Sequence, residues 1–290
     1  IPPVRRRSAS HFPSIGGPAE EHLLSSAEDI SRMSLRRVVE NHGGVERALV
    51  LANRSQPEQL RSMLAGMFER QSVSVDEATV EGLPDDTVLL LDDTGEVVAQ
   101  SPLEAVSESL LFTNSDAFVT GSTSLEETNL PDVITGLAGV DFRLRGFPRS
   151  HKEKLLLIAV SRYIERIAWE RDAGTHRASF QRLSRIVDEQ GTKRVYRRLG
   201  ESDVDTHVYG VDDGGAEQAT ELGVTVHTGD SADYRDSWFV VHRPPGAERS
   251  SGPDPVALLA VQDDAGVWDG FFTTETEAAL GVDDYVRRAL

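Results

Sequence analysis

Residues 151–174 read HKEKLLLIAVSRYIERIAWERDAG. Leu156, Val160, Tyr163, Ile164 and Ile167 recur at helical spacing and form one apolar face. Leu155, Ile158 and Trp169 fall on the opposite side. A helix that is apolar on two faces is covered on two sides. This helix is therefore expected to be central, with Trp169 packed beneath another element.

Strands follow it. HRASFQ leads into two short helices, RLSRIVDEQ and TKRVYRRLGE. Then come DTHVYG, GVTVHT, DSWFVVHR, PVALLAVQ and WDGFFTT, all rich in β-branched and aromatic residues. TEAALGVDDYVRRAL reads as a closing helix, and Arg243–Pro255 as a long surface loop between strands. Upstream, Ser34 opens a helix as N-cap, with Leu35, Val38 and Val39 on one face. RALVLANR (47–54) is a strand. Pro57 starts a helix that carries Leu60, Met63, Leu64 and Met67, and SVSVDEATV (72–80) alternates as a strand does. Val88–Leu91 and Val97–Ala99 form a hairpin about Asp92, Asp93, Thr94 and Gly95. Ser101 and Pro102 are expected as the cap and first residue of the next helix.

The fold class is thus α/β (α+β mixed): two α/β subdomains with mixed sheets, and a central amphipathic helix in the C-terminal part. The expected division is a disordered extension over 1–32 with Met33 as the native start, an α/β subdomain over 33–112, a polar linker over 113–131 and a second domain over 132–290.

Asp and Glu number 48 against 30 Lys and Arg, a net charge of −18. Only three of the bases are lysine: Lys152, Lys154 and Lys193. An acidic, lysine-poor surface stays soluble in concentrated salt, where screening removes carboxylate repulsion. This reads as a halophile's cytoplasmic protein, against the plainer reading of an ordinary acidic protein from a GC-rich genome. The charge argues against nucleic acid as a partner. The absence of cysteine excludes disulfides, thiolate catalysis and cysteine-ligated metals. No apolar run reaches the ~20 residues of a membrane span, and the N-terminus has no secretory apolar region.

Candidate chemistry is sparse. The eight histidines show no metal-type spacing, although His207 and His227, each in a strand, could meet across a sheet. Structural histidines are the commoner outcome. YGVDDGG (209–215) lacks the phosphate-loop glycine pattern, and Asp212 and Asp213 would repel a phosphate, so it reads as a plain turn. Asp92 and Asp93 resemble paired phosphoacceptor acids but sit in a hairpin turn, where aspartate caps backbone. Residues 34–112 contain no lysine, so a receiver domain is rejected. No GxSxG is present, and Ser179 has no glycine elbow. All three tryptophans lie in the second part: Trp169, Trp238 and Trp268. Phe180, Tyr209, Phe239, Phe271 and Phe272 join them. Such a cluster is core, or the lining of a small-molecule pocket with Gln181, His207 and Tyr209 as its polar groups. The candidate ligand-binding set is Trp169, Phe180, Gln181, His207, Tyr209, Trp238, Trp268 and Phe271, with no catalytic or metal-binding residue assigned.

LLLIAVSRYIERIAW, ASFQRLSR, VYRRLGESDVDTHVYGVDD, WFVVHR, ALLAVQ and WDGFFTTE follow one another in an order and spacing that resemble the DICT sensory domain, from about Lys154 to Leu290. The N-terminal β-α-β-β-α part is similar to the region preceding this domain in stand-alone haloarchaeal members. The chain departs from the pattern in THRASFQ, where small or apolar residues more often precede the aromatic, and in the PPGAERSSGPDP insertion. The resemblance implies signal sensing, connected with light or redox responses, without catalysis and with an unidentified ligand. It further implies a signalling partner protein or a homodimer. Two rivals stand beside it: an enzyme acting on a nucleotide- or flavin-like molecule, and a pure interaction module using Leu155, Ile158 and Trp169 as a dimer face.

Overall fold

A run such as Val256–Val261, apolar at every position, has no polar side to turn toward water. A strand of that kind must be covered on both faces. In the computed structural model, which describes residues 34–68, 73–111, 125, 129–145 and 153–290, it is. Strand β10 (Val256–Asp264) lies inside a seven-stranded sheet of order β5-β11-β10-β9-β6-β7-β8. The other members are β5 (Asp141–Arg145), β6 (Thr175–Arg182), β7 (Asp205–Val211), β8 (Thr225–Thr228), β9 (Ser237–Arg243) and β11 (Val267–Thr273). Val256, Leu258 and Ala260 join one apolar cluster; Ala257, Leu259 and Val261 join another on the opposite face.

The first cluster packs under helix α5 (Glu153–Arg171), through Leu156, Leu157, Val160, Ile164 and Ala168. The second packs under the closing helix α10 (Thr276–Ala289), through Ala279, Val282, Tyr285 and Val286, and under helix α1 (Leu35–Glu40), through Leu35. Ser34 caps α1 by accepting a hydrogen bond from the Arg37 amide at 3.3 Å. Strands β6, β7 and β8 run parallel. Helices make those crossovers: α6 (Ser184–Asp188) and α7 (Gln190–Gly200), then α8 (Ala216–Thr220). The turn from α5 into β6 needs Gly174, which has φ +92 and where a Cβ would sit 2.4 Å from the Arg243 carbonyl oxygen.

A second mixed sheet has the order β2-β1-β3-β4. Strands β1 (Arg47–Ala52) and β2 (Val73–Ala78) are parallel and joined by helix α2 (Glu58–Phe68). Strands β3 (Thr87–Leu91) and β4 (Val97–Pro102) form a hairpin that leads to helix α3 (Leu103–Leu111). Leu49, Leu51, Val88 and Leu90 of this sheet share one apolar cluster with Leu156, Val160 and Phe272, and Ser34–Leu290 is one compact unit. The fold is mixed α/β with two mixed sheets, as the sequence reading expects. The extension over 1–32, Met33 and most of the 113–131 linker lie outside the described residues.

Two local details differ from expectation. Ser101 and Pro102 end β4 and do not open the helix, because Pro102 pairs in register with Thr87; the Ser101 hydroxyl accepts from the Val133 amide at 3.3 Å. Strand β5, with Phe142 and Leu144 buried, has too short an alternation to stand out in the sequence. The two aspartate motifs act on backbone. Asp92 accepts from the Thr94 hydroxyl and from the amides of Thr94 and Glu96, which holds its carboxyl below the usual range. Asp212 accepts from the Gly214 amide at 3.0 Å, and Asp213 from the Ser184 amide and hydroxyl at 2.9 and 2.7 Å.

Polar groups are buried on each face of the large sheet. Toward α10, the Arg177 guanidinium donates to Asp283 at 2.9 Å and to the Tyr209 hydroxyl at 3.0 Å, and Arg243 donates to the second Asp283 oxygen at 3.1 Å. Toward α5, His176 and His242 pair across β6 and β9, both fully buried, with ring centroids 6.5 Å apart. The His176 ring has no hydrogen-bond partner among the described residues.

Two outcomes follow from these groups. Asp283→Ala leaves the buried Arg177 without its carboxylate and should cost about 3–5 kcal/mol in urea unfolding, against under about 0.5 kcal/mol for an exposed acid such as Asp93→Ala. Burial lowers His176 to about 3 and His242 to about 4, from 6.5. The unfolded chain therefore takes up protons first as pH falls through 6.5, while the folded chain resists. Stability should hold above that pH and decline from about 6.5 toward 4, at about 1.4 kcal/mol per pH unit for each histidine. Urea midpoints at pH 7.5 and 5 measure it, and His242→Phe should flatten the slope.

Candidate functional site

The hydrogen-bond register between β6 and β7 slips between Ser179 and Arg182. The bulge carries Phe180 and Gln181, and Gln181 sits at φ +49, a left-handed conformation that a non-glycine side chain adopts at some cost. Gln181 is held there. Its amide donates to the Ser237 carbonyl, and its side-chain oxygen accepts from Arg185.

The bulge opens a cavity of about 100 Å³ between α5, β6, β9 and the α6–α7 pair. Phe180, Tyr196, Trp238, Ile158 and Val240 supply its apolar and aromatic lining. Ser161, Arg162 and Glu165 from α5, Ser179 and Gln181 from β6, and Arg185, Glu189 and Thr192 from the helical pair supply its polar lining. The Phe180 and Tyr196 rings meet edge to face at 5.0 Å. The Trp238 indole N–H donates to the Ser161 hydroxyl at 3.1 Å, and that hydroxyl donates to the Leu157 carbonyl at 2.8 Å.

A buried polar network forms one wall. Arg162 donates to Glu165 at 2.5 Å and to the Thr192 hydroxyl at 2.6 Å. Thr192 donates in turn to Glu189 at 3.0 Å, and the Tyr196 hydroxyl donates to the other Glu165 oxygen at 2.8 Å. Burial, reinforced by the Glu165 charge, raises Tyr196 well above the usual phenol range, so it remains a donor. Ser179 accepts from the Phe239 amide at 2.8 Å, and no histidine lines the cavity. The arrangement offers shape, aromatic faces and a fixed donor–acceptor wall. The Ser161 and Ser179 hydroxyls donate to the carbonyls of Leu157 and Ser237, at 2.8 and 3.3 Å.

The sheet divides the residues expected to bind ligand. Phe180, Gln181 and Trp238 line the cavity. Trp268 stands behind Trp238, its ring 6.3 Å away at 89°. Trp169 packs at the end of α5 beneath the Arg198 guanidinium, 5.5 Å from the ring centroid. His207, Tyr209 and Phe271 belong to the opposite face. Tyr209 stacks on His227 at 4.4 Å, His207 Nδ1 lies 2.9 Å from His227 Nε2, and Phe271 stacks on His42 at 3.9 Å. Tyr209 lies beside Ser179, one residue out of phase with Phe180, and that offset reverses its side. His207 and His227 do meet across the sheet. Among the described residues, no three His, Asp or Glu side chains converge as a metal site.

Sequence reasoning missed Arg162, Glu165, Thr192 and Tyr196. The available signal was an Arg and a Glu three residues apart within the apolar helix LLLIAVSRYIERIAW.

Residues 142–250 match the family model described as "DICT: Sensory domain in DIguanylate Cyclases and Two-component system". Over these residues the chain is similar to the DICT sensory domain. The match starts at β5 and stops before β10, a shorter span than the resemblance read from about Lys154 to Leu290. All thirteen residues lining the cavity lie within the DICT segment. No curated protein matches the chain. Among the described residues, no helix is long and apolar enough to cross a membrane.

The wall generates a contrast within one helix. Arg162–Glu165 is buried, whereas Arg166–Glu170 has Glu170 at 46% side-chain exposure. Glu165→Ala should cost about 3–5 kcal/mol in urea unfolding, because Arg162 keeps a buried charge; Glu170→Ala should cost under about 1 kcal/mol.

Proposed function

We propose that this protein is a non-catalytic sensory module whose DICT cavity takes a small molecule and relays its presence by a shift between two packings. The observation that carries the reading is the cavity itself. Aromatic side chains and buried polar groups converge on it, a strained residue shapes it, and it lies wholly within the segment that matches a sensory domain. Phe180, Gln181 and Trp238 are its ligand-contacting residues, with Trp268 supporting Trp238 from behind. Trp169, His207, Tyr209 and Phe271 act at a distance, through packing of the sheet and its helices.

The relay runs through α7. Its inner side supplies Thr192 and Tyr196 to the wall, and its outer side exposes Arg194 and Arg197. Displacement of the wall by a ligand moves the helix that carries those bases, which a signalling partner then reads. A surface this acidic suits a cytoplasm of high salt.

Native mass spectrometry with an ultraviolet–visible spectrum tests the reading. Protein purified from a halophilic host should retain a small mass, and Trp238→Ala should release it while far-ultraviolet circular dichroism stays unchanged. Wild-type protein at its bare chain mass, with no added small molecule raising its melting temperature, would sink the proposal.

A further inference from the structure

The lining of the cavity restricts what can enter. Two arginines, Arg162 and Arg185, and two glutamates, Glu165 and Glu189, contribute to it. The charges balance, so an ion entering alone would be desolvated without net compensation. A phosphate-bearing molecule meets as many carboxylates as guanidiniums there. The cavity, of about 100 Å³, has room for a flat ring between its aromatic side chains.

The ion pair on the wall is closed. Arg162 and Glu165 already bond to one another, at 2.5 Å, and Tyr196 and Thr192 brace them. A zwitterion such as a free amino acid would have to open this buried pair to place its two charges, at the cost of two desolvated side chains. A neutral group with a donor beside an acceptor need not. A carboxylate has about four acceptor positions, and Glu165 accepts from Arg162 and Tyr196; a guanidinium N–H can be shared between two acceptors. A flat ring is then gripped by Phe180, Tyr196 and Trp238, whose faces favour stacked or edge-to-face contact.

We propose that the DICT cavity takes a neutral planar heterocycle with a lactam edge, an N–H beside a carbonyl: the N–H donates to Glu165, the carbonyl accepts from Arg162, and the ring packs on Phe180 and Trp238. The proposal rests on the reading of the cavity as a ligand site and names its ligand class.

Calorimetric titration of the full chain with four probes tests it: uracil, its doubly N-methylated form, indole and L-phenylalanine. Uracil should bind and quench tryptophan fluorescence, and the quench should shrink in Trp238→Phe. N-methylation removes the donors and should weaken binding at least about tenfold. Because the four calorimetric titrations use the same wild-type protein, none of their results can be blamed on a misfolded variant. Indole binding as tightly as uracil would overturn the lactam class yet leave the cavity as a ligand site. Binding of phenylalanine alone would assign the wall to a zwitterion instead. If none of the four binds, the lactam proposal fails, and the ligand-site reading then rests on the mass spectrum of the purified protein.

Discussion

The larger sheet is apolar on both faces, and most of the architecture answers that constraint. Val256–Val261 alternates between two clusters, and neither cluster can face water. One face takes α5 with the α6–α7 pair; the other takes α10 and α1. The four-stranded sheet reaches the same core from beyond α5, through Leu49, Leu51, Val88 and Leu90. Helix α5 is therefore covered on two sides, which is why its sequence is apolar on two faces.

Against that apolar background the buried ions stand out. Arg162–Glu165 on one face and Arg177–Asp283 on the other each expose 8% or less of either side chain. A well-packed apolar pair would serve stability as well or better, because both ions give up their hydration. Their partners suggest what each ion pair does. Arg177 and Arg243 converge on Asp283 and fix the position of α10. Arg162 and Glu165 link α5 to α7 through Thr192 and Tyr196, at the wall of the cavity. That second link joins the interior of the DICT segment to a helix whose outer side is basic on an acidic protein.

Gln181 and the β6 bulge give the cavity its opening. Without the slip in register, Phe180 would continue the ladder with β7. With it, the chain turns inward, and Gln181 is clamped between the Ser237 carbonyl and Arg185. The strain at φ +49 is carried by those two hydrogen bonds.

The sequence by itself determined the elements and their class. The two-faced helix, the apolar strands, the Ser34 cap and the Asp92–Gly95 turn are written in local periodicity and in side chains that bond to their own backbone, both short-range effects. It also marked Phe180, Gln181 and Trp238, because aromatic residues near a polar amide are conspicuous. Only the tertiary structure decided which aromatics meet. Tyr209 and Phe271 differ from the cavity residues by one step of a period of two, and the faces they reach depend on a register set by distant strands. The Arg162–Glu165 wall was hidden for a related reason: ionisable residues on a helix look solvated until Tyr196 and Thr192, about thirty residues away, fold over them and exclude the water.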